Sequence, residues 1–325
     1  MDHQLFTQLI SSIKLHSGIS RVQLMAQLKL SEKTLNSYVS YLQTLGLQLI
    51  QTKNAEFFLV QNIQPLCVTE IRRALSAREI DILPPFLTVE STNQHLKNTK
   101  SAFTGLSRLC VTEHQSHGRG RRSRQWVSSI GSDIMLSLHV RLNIPVNEVG
   151  GVSIVAGISI IEALADLSIR GLLIKWPNDI FWKNKKLAGI LIESTNLVDN
   201  CVELVVGIGL NMSVSATSAK LIDQAWVDTK QLTSKHLSRN VLIARIVNRL
   251  LDNFSAYENS GLDAFQRQWH DLDYLFKKNI VINSAQGSQC SGVAMGVNKR
   301  GELLVQTGDR LINVVGGEVS VRTAR

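Results

Sequence analysis

Residues 118–125 read GRGRRSRQ, and Trp126 follows them directly. The segment carries four arginines and two glycines. The planar guanidinium groups of arginine pair bidentately with phosphate or carboxylate oxygens, and glycine lets the backbone approach an anion closely. The segment therefore indicates an anion-binding loop. Taken alone, it also fits a solvated basic run or a surface for RNA or another polyanion.

The composition is typical of a globular protein with an acidic partner. The chain has 325 residues, 44% of them hydrophobic, which is enough for roughly two or three domains with a sizeable core. Its net charge of +9 favours a nucleotide, nucleic acid or acidic protein as partner. No basic-then-apolar leader opens the sequence, and the most apolar stretch, residues 152–165, is shorter than a bilayer span. We therefore expect a cytoplasmic protein without a membrane partner.

The cysteines agree with a reducing compartment. They are widely spaced and include no C-x-x-C pair, so neither a zinc knuckle nor a disulfide framework is indicated. They stand at Cys67, Cys110, Cys201 and Cys290.

Residues 1–63 are predicted to form a winged helix-turn-helix DNA-binding domain. Apolar residues recur at helical spacing, Ser31 suits a helix N-cap, and Gly46 suits the end of the helix that follows. This second helix of the motif would contact DNA, while its Leu35, Val39 and Leu42 would hold it to the first helix. The residues assigned to that contact are Ser31, Lys33, Thr34, Asn36 and Ser37. The helix has one lysine and no arginine, and residues 56–60 (EFFLV) replace a basic wing, so we expect weak binding. A small helical bundle for protein contacts is the alternative.

Two further domains are expected after this one. Residues 61–85, with Pro65 and the pair Pro84-Pro85, have the composition of a linker and place the boundary near residue 63. Short β-like runs alternate with helical ones over residues 64–274, which predicts a mixed α/β domain. The expected strands are residues 108–113, 133–141, 172–175, 187–194 and 202–211, and the expected helices are residues 148–167, 239–257 and 262–274. Residues 275–325 contain short strands separated by turn signals and predict a small β-barrel. The fold class is therefore α+β and multidomain.

Six segments, in this order, resemble the motifs of biotin protein ligases. They are residues 89–94 (VESTNQ), 113–115 (EHQ), 118–122 (GRGRR), 175–179 (KWPND), 186–191 (KLAGIL) and 207–212 (GIGLNM). With the N-terminal module, the whole chain resembles the bacterial biotin ligases that also repress the biotin operon. The resemblance implies a biotin/lipoate-ligase-like catalytic domain at residues 64–274, which binds biotin and ATP, and an SH3-like barrel at residues 275–325.

The resemblance implies a reaction in two steps. Biotin and MgATP give biotinoyl-5′-AMP and pyrophosphate, and a lysine of the biotin carboxyl carrier protein then attacks the anhydride. Cations must neutralise a carboxylate and a phosphate that approach each other. By family position, Arg119 borders both groups, Arg121 lies against the adenylate and Lys186 bridges their oxygens. Asp179 is a hypothesis for orienting or deprotonating the acceptor lysine. Mg²⁺ would bridge ATP phosphates with few protein ligands, and no metal residue is assigned.

The resemblance also assigns binding residues. Those expected around biotin are Ser91, Thr92, Asn93, Gln115, Gly118, Arg119, Lys186 and Gly189. Those expected around the nucleotide are Arg121, Arg122, Arg124, Trp126, Asn178, Asn211 and Trp226. Purely structural interpretations stay open. Residues 91–93 could form a helix N-cap, Lys186 could belong to a solvated run of lysines, and Trp126 could be a residue of the hydrophobic core.

Residues 212–226 are expected to form a mobile loop over the adenylate, with Val214 and Trp226 as an apolar cover. In the family, ordering of the loops promotes a homodimer through the central sheet when biotinoyl-AMP is bound, and the dimer places two winged helices on operator DNA. Two residues depart from the family: Ser123 replaces a glycine and Val127 replaces an aromatic residue. The rival functions are a ligand-sensing transcription factor without catalysis and a ligase for lipoate or a related acyl group.

Overall fold

The computed structural model describes residues 2–13, 18–52, 56–60, 62–76, 80–99, 106–198, 200–283, 289–317 and 319–323. Within these ranges the strands form three sheets of three, seven and five strands, which follow one another along the chain.

The N-terminal residues form three helices and a small antiparallel sheet in the strand order β1-β3-β2. Ser20 and Ser31 cap the helices that follow them. Leu35, Val39 and Leu42 are buried against the rest of the module, as predicted. The residues assigned to DNA contact, Ser31, Lys33, Thr34, Asn36 and Ser37, are all exposed. The elements are α1 (His3–Ser12), β1 (Ile19–Ser20), α2 (Arg21–Leu28), α3 (Glu32–Thr44), β2 (Leu49–Gln51) and β3 (Glu56–Leu59).

The central part is a seven-stranded sheet in the order β4-β5-β6-β10-β9-β8-β7. Its strand pairs are antiparallel except for β4 and β5. Its elements are α4 (Val68–Ala74), β4 (Ile80–Ile82), α5 (Thr92–Asn98), β5 (Ser107–Val111), β6 (Ile134–Leu142), α6 (Val149–Ala165), β7 (Leu172–Lys175), β8 (Asp179–Trp182), β9 (Lys185–Val198), β10 (Cys201–Leu210), α7 (Ala216–Ala219), α8 (Thr229–Leu232), α9 (Arg239–Ser260) and α10 (Gln266–Leu272).

Helices pack on both faces of this sheet, and successive side chains of a strand point alternately to the two faces. Leu204 and Val206 of β10 face the main core with α6 and α9, whereas Val205 packs with Leu96 of α5 in a separate cluster. The stretch Val146–Ala165, which includes α6, is long and apolar enough to cross a membrane, but 67% of its most apolar window is buried inside the protein. Its apolar length is therefore explained by its place in the core.

Three expectations from the sequence need correction here. The segment predicted as a linker belongs to the central core, where α4 packs on α9 and β4 extends the sheet. Strand β8 was not predicted, because it is only four residues long and continues directly from a motif rich in turn residues. The predicted helix over residues 262–274 is a 3-10 turn (Gly261–Phe265) followed by α10.

The C-terminal residues form a five-stranded antiparallel sheet in the order β14-β13-β12-β11-β15. This sheet rests on the central domain, where the Trp176 indole donates to the carbonyl of Gly301 at 2.9 Å. The β-rich fold was expected, whereas closure into an SH3-like barrel stays a prediction. The strands are β11 (Asn279–Asn283), β12 (Gln289–Val297), β13 (Leu303–Thr307), β14 (Arg310–Val314) and β15 (Ser320–Thr323).

One buried ion pair joins the N-terminal module to the central domain. The Glu113 carboxylate is fully buried and lies 2.8 Å from Nη1 of Arg239, which is 4% exposed. Glu113 also accepts from the Leu66 amide at 2.7 Å and lies 3.2 Å from the imidazole of His3. The second guanidinium nitrogen of Arg239 donates to the carbonyl of Asp133 at 2.9 Å. The pair therefore links α1, the segment before α4, the sheet and α9.

Burial alone would raise the pKa of Glu113, but Arg239, His3 and the Leu66 amide together hold it below its ordinary value. A carboxyl group whose pKa is depressed in the folded state stabilises the fold above its unfolded pKa. That contribution is lost only as the pH falls below about 4.3, the ordinary value for glutamate.

We expect Arg239→Met to lower the free energy of unfolding by about 3–5 kcal/mol, because it leaves the Glu113 carboxylate buried without its partner. Urea denaturation measures the change. The matched control is Arg249→Met, which removes a half-exposed pair with Asp166 and is expected to cost about 0–1 kcal/mol. Equal losses in the two variants would contradict the role given to the buried pair.

Candidate active site

Two adjacent strands bring a lysine and a carboxylate together. Asp179 begins β8 and Lys186 lies at the start of β9, where a register shift separates the two halves of the ladder. The Nζ atom of Lys186 lies 2.8 Å from Oδ1 of Asp179, and both side chains are largely buried. This separation is that of a charge-assisted contact between an ammonium and a carboxylate, so the two groups form a short and largely buried ion pair.

The ring of Trp126 packs against Gly189 and Gly209 beside this pair. The Lys186 ammonium lies 5.6 Å from the ring centroid. A Cβ atom at Gly209 would lie 2.3 Å from the ring, and one at Gly189 would lie 3.2 Å from Nζ of Lys186. Glycine is therefore required at Gly209 for this packing. The Trp126 indole nitrogen is buried without a hydrogen-bond partner.

The surroundings of the pair are strongly positive. Burial lowers the pKa of Lys175, with Lys186, Arg124 and Arg322 acting in the same direction and Asp179 opposing them. Burial also lowers the pKa of Arg121, again opposed by Asp179. Cations that lower one another's pKa in this way stabilise a bound anion, so the cluster suits a phosphate or carboxylate ligand.

A cavity of about 760 Å³ opens between the arginine loop, the start of α6, strand β9 and residues 315–317 of the C-terminal sheet. This volume is in the range of small-molecule sites. Arg121 crosses one side of it, donating to Oδ1 of Asn178 at 3.3 Å and to the carbonyl of Gly317 at 2.8 Å. The side chains of Arg122 and Arg124 are exposed and also line the cavity. The arginine segment therefore faces the cavity, and the C-terminal sheet supplies part of its wall.

The backbone of the arginine loop is strained at two residues. Arg122 and Ser123 have φ values of +56° and +57°. The left-handed region costs a residue with a side chain about 1–2 kcal/mol. Ser123 thus adopts the conformation that the glycine of the family would favour, although the sequence predicted less freedom there. Val127 is half-buried next to Trp126, and nothing further in its surroundings explains the departure.

A chain of buried polar side chains runs beside the cavity. The amide oxygen of Gln115 accepts from the backbone and hydroxyl of Thr92 at 2.8 and 3.1 Å. The hydroxyl oxygen of Ser137 lies 2.6 Å from the hydroxyl oxygen of Thr92 and 2.6 Å from the amide oxygen of Asn93. The Asn93 amide donates to Glu193 at 3.0 Å. Three of the residues assigned to biotin therefore share one hydrogen-bonded network.

The remaining assigned residues near biotin have mainly structural contacts. Ser91 caps α5 through the Gln94 amide, so the N-cap interpretation holds for it. Gly118 permits close packing, since a Cβ atom there would lie 2.5 Å from the carbonyl oxygen of Trp126. Arg119 pairs with Glu193 at 2.9 Å. Arg119 and Lys186 thus have different carboxylate partners.

The segment expected to cover the adenylate is tied to the strand that carries Lys186. The Lys186 amide donates to the carbonyl of Ala225, and its carbonyl accepts from Val227, both at 2.9 Å. The Asn211 amide donates to the carbonyl of Val227 at 3.2 Å. Trp226 and Val214 are half-buried. The segment contains the short helix α7, so it is more regular than the predicted loop, and its ends lie close to Lys186.

The start of this segment is anchored on the loop before β6. The Met212 amide donates to Oδ1 of Asp133 at 3.0 Å, and the Ser129 hydroxyl bonds those of Ser215 and Ser218 at 3.1 and 2.8 Å. Burial raises the pKa of Asp133 to about 6, although backbone amides partly oppose it. Asp133 therefore fixes one end of the segment.

Sequence reasoning missed several residues of the site, chiefly Glu193, Lys97 and Ser137. Glu193 is four residues after Gly189 along β9. Side chains at even spacing point to the same side of a strand, so the two residues share a face. An acidic residue on the same strand face as an expected ligand contact is the signal that identifies it.

Known proteins resemble this chain in sequence and in fold. Residues 86–211 match the Biotin/lipoate A/B protein ligase family. The bifunctional ligase/repressor BirA of Escherichia coli is 30% identical over 316 residues, covering 97% of this chain and 96% of its own length. That of Salmonella typhimurium has the same identity and coverage. The solved biotin protein ligase of Aquifex aeolicus in complex with biotin and ATP has a TM-score of 0.63 and 22% identity, covering 75% of this chain and 99% of its own, which shows the fold.

These comparisons confirm the predicted resemblance and the mixed α/β catalytic fold with its β-rich C-terminal domain. The chain belongs to the biotin protein ligase family and is a ligase.

Proposed function

We propose that this ligase converts biotin and ATP to biotinoyl-5′-AMP and pyrophosphate, and then transfers biotin to a lysine of the biotin carboxyl carrier protein. The observation that carries the proposal is the Lys186–Asp179 pair beside Trp126. Asn178, which precedes Asp179, lines the cavity together with the arginine segment. A relative in Mycobacterium tuberculosis, 27% identical over 65% of this chain, is named a biotin–[acetyl-CoA-carboxylase] ligase, which supports the choice of acceptor.

In the first step an oxygen of the biotin carboxylate attacks the α-phosphorus of ATP, and pyrophosphate leaves. The carboxylate and the phosphate are both negative and repel each other. Lys186, Arg119 and Arg121 would neutralise their charge and so lower that repulsion. Lys186 is suited to this because its ammonium already faces a carboxylate oxygen, that of Asp179, at 2.8 Å. It exchanges one carboxylate for the developing anhydride oxygens as the reactants arrive.

In the second step the acceptor lysine attacks the acyl carbon and AMP leaves. The amine must be neutral to attack, and the proton that it sheds needs an acceptor. Asp179 would take that proton, since its Oδ1 loses the ammonium at 2.8 Å when Lys186 turns to the anhydride oxygens.

The other assigned residues would hold the two substrates. Thr92, Asn93 and Gln115 offer the polar groups that the biotin ring needs, with Ser91, Gly118 and Gly189 shaping the pocket. Around the nucleotide we assign Arg121, Arg122, Arg124, Trp126, Asn178, Asn211 and Trp226, with residues 212–226 as the cover that excludes water. In the part of the chain that the structure describes, no three His, Cys, Asp or Glu residues could jointly hold a metal ion. Mg²⁺ would accordingly be bound by ATP phosphates and water.

We also propose that residues 1–63 are a winged helix-turn-helix domain that binds operator DNA, that residues 64–274 are the catalytic domain, and that residues 275–325 are the barrel. Repression would require a homodimer formed when biotinoyl-AMP is bound, and we place the protein in the cytoplasm. The exposed row on α3 supports DNA contact, with β2 and β3 as the wing. Residues 53–55 lie outside the described residues.

Pyrophosphate release tests the ligase activity. We expect biotin-dependent release from MgATP that turns over repeatedly only when the acceptor domain is present. Lys186→Ala should slow it by about a hundredfold or more, because charge stabilisation in the transition state is lost. Lys185→Ala is the control, since that neighbour is exposed. Ligand binding without any release would favour the non-catalytic sensor, and turnover with lipoate in place of biotin would favour the other acyl ligase.

Asp179→Asn separates the two steps. We expect transfer from preformed biotinoyl-5′-AMP to the acceptor to slow by about a hundredfold or more, as is usual when a general base is lost. Single-turnover transfer at saturating biotinoyl-AMP measures this step alone. An unchanged transfer rate would remove Asp179 from the mechanism.

Mobility-shift titration with a palindromic site upstream of biotin-synthesis genes tests the repressor function. We expect biotinoyl-AMP to tighten binding and Asn36→Ala to weaken it, because Asn36 is exposed on α3. Gln8→Ala, on the exposed side of α1, is the control. Binding that ignores biotinoyl-AMP would count against ligand-dependent repression.

A further inference from the structure

Glu193 is the one acidic residue among those that line the 760 Å³ cavity. In the proposed function this cavity receives a carboxylate and phosphates, which a negative side chain would repel. The position of Glu193 is therefore unexpected unless its charge has a use. Its carboxylate lies 2.9 and 3.2 Å from the same guanidinium nitrogen of Arg119.

Two other donors hold Glu193 in place independently of Arg119. The Lys97 ammonium lies 2.8 Å from Oε1, and the Asn93 amide lies 3.0 Å from Oε2. Burial would raise the pKa of Glu193, but Lys97, Asn93 and Arg119 together hold it below its ordinary value. Glu193 is therefore ionised at neutral pH, and it keeps two partners if Arg119 moves away.

Arg119 is held less firmly than Glu193. Its side chain is 40% exposed, against 18% for Glu193. Within the described part of the chain, Glu193 is the acidic partner that the arginine contacts. Exchanging this partner for a ligand carboxylate would thus cost Arg119 little, whereas Glu193 would stay paired with Lys97.

We propose that Glu193 is a competing anion that holds Arg119 in the ligand-free enzyme and gives it up to the carboxylate of biotin. The inference rests on the proposed function, in which Arg119 contacts that carboxylate. Glu193 is then a positioning residue that limits biotin affinity, and Lys97 sets how strongly it competes. Because Asn93 also bonds Ser137, which bonds Thr92, the exchange takes place at the end of the network assigned to the biotin ring.

The proposal requires two substitutions to act in opposite directions. Glu193→Gln keeps the shape and the oxygen that accepts from Asn93 but frees Arg119, so biotin should bind about two- to fivefold more tightly, as expected for a partly exposed ion pair. Lys97→Met leaves Glu193 with Arg119 as its cation, so biotin should bind more weakly by about the same factor. A purely structural role would weaken binding in both variants.

Calorimetric titration of the full chain with biotin, biotinamide and AMP tests this, with thermal melting to confirm folding. Both effects should appear with biotin and vanish with biotinamide, which lacks the carboxylate. An effect on AMP in place of biotin would show that Arg119 exchanges to a phosphate and would overturn the proposal as stated.

The remaining outcomes are also decisive. Weakening in both variants, or no change in either, would overturn the inference, whereas wild-type protein that does not bind biotin would overturn the proposed function itself. If Glu193→Gln fails to fold, Lys97→Met alone decides, because biotin binding that is unchanged or tighter contradicts competition.

Discussion

The site depends on holding several cations close together before any anion arrives. Burial lowers the pKa of both Lys175 and Arg121, and neighbouring cations lower it further, Arg124 for both residues and Lys186 for Lys175. Such a cluster would repel itself if nothing opposed it. Asp179 provides internal compensation within the cluster, and Glu193 does so for Arg119 a short distance away. Two carboxylates thus offset part of the positive charge, one beside Lys186 and the other beside Arg119.

The fold supplies this arrangement through strand geometry more than through loops. Asp179 and Lys186 belong to paired strands, and Glu193 lies further along the strand that carries Lys186. Rigid strands fix the distances between charges that a loop would let relax. The arginine segment is the exception, and there the backbone is itself constrained, because Ser123 is held at positive φ and Arg121 is hydrogen-bonded to two separate elements.

The sequence was sufficient for the mixed α/β catalytic fold and its β-rich C-terminal domain, but insufficient for the side-chain partners of the motif residues. Helices α6 and α9 and strands β6, β9 and β10 follow from hydrophobic periodicity, which local sequence carries. Glu113 and Arg239 are 126 residues apart, and no local pattern announces that they meet. Glu193 had the appearance of an ordinary polar residue on a half-exposed strand. Its function becomes visible only when α5 brings Lys97 and Asn93 to the same face.

One short stretch of chain contacts both the N-terminal module and the segment that follows Asn211. Residues 129–133 lie between the N-terminal core and the cover segment: Ile130 is buried with Phe6 and Ile63 on one side, and Asp133 holds the Met212 amide on the other. A Cβ atom at Gly131 would lie 2.7 Å from Ile63, so the two modules are in close contact there. Because Arg239 also bonds the carbonyl of Asp133, the buried ion pair fixes this stretch from behind. A rearrangement of residues 212–218 that breaks their bonds to Ser129 and Asp133 would therefore reach a stretch that packs directly on the N-terminal module.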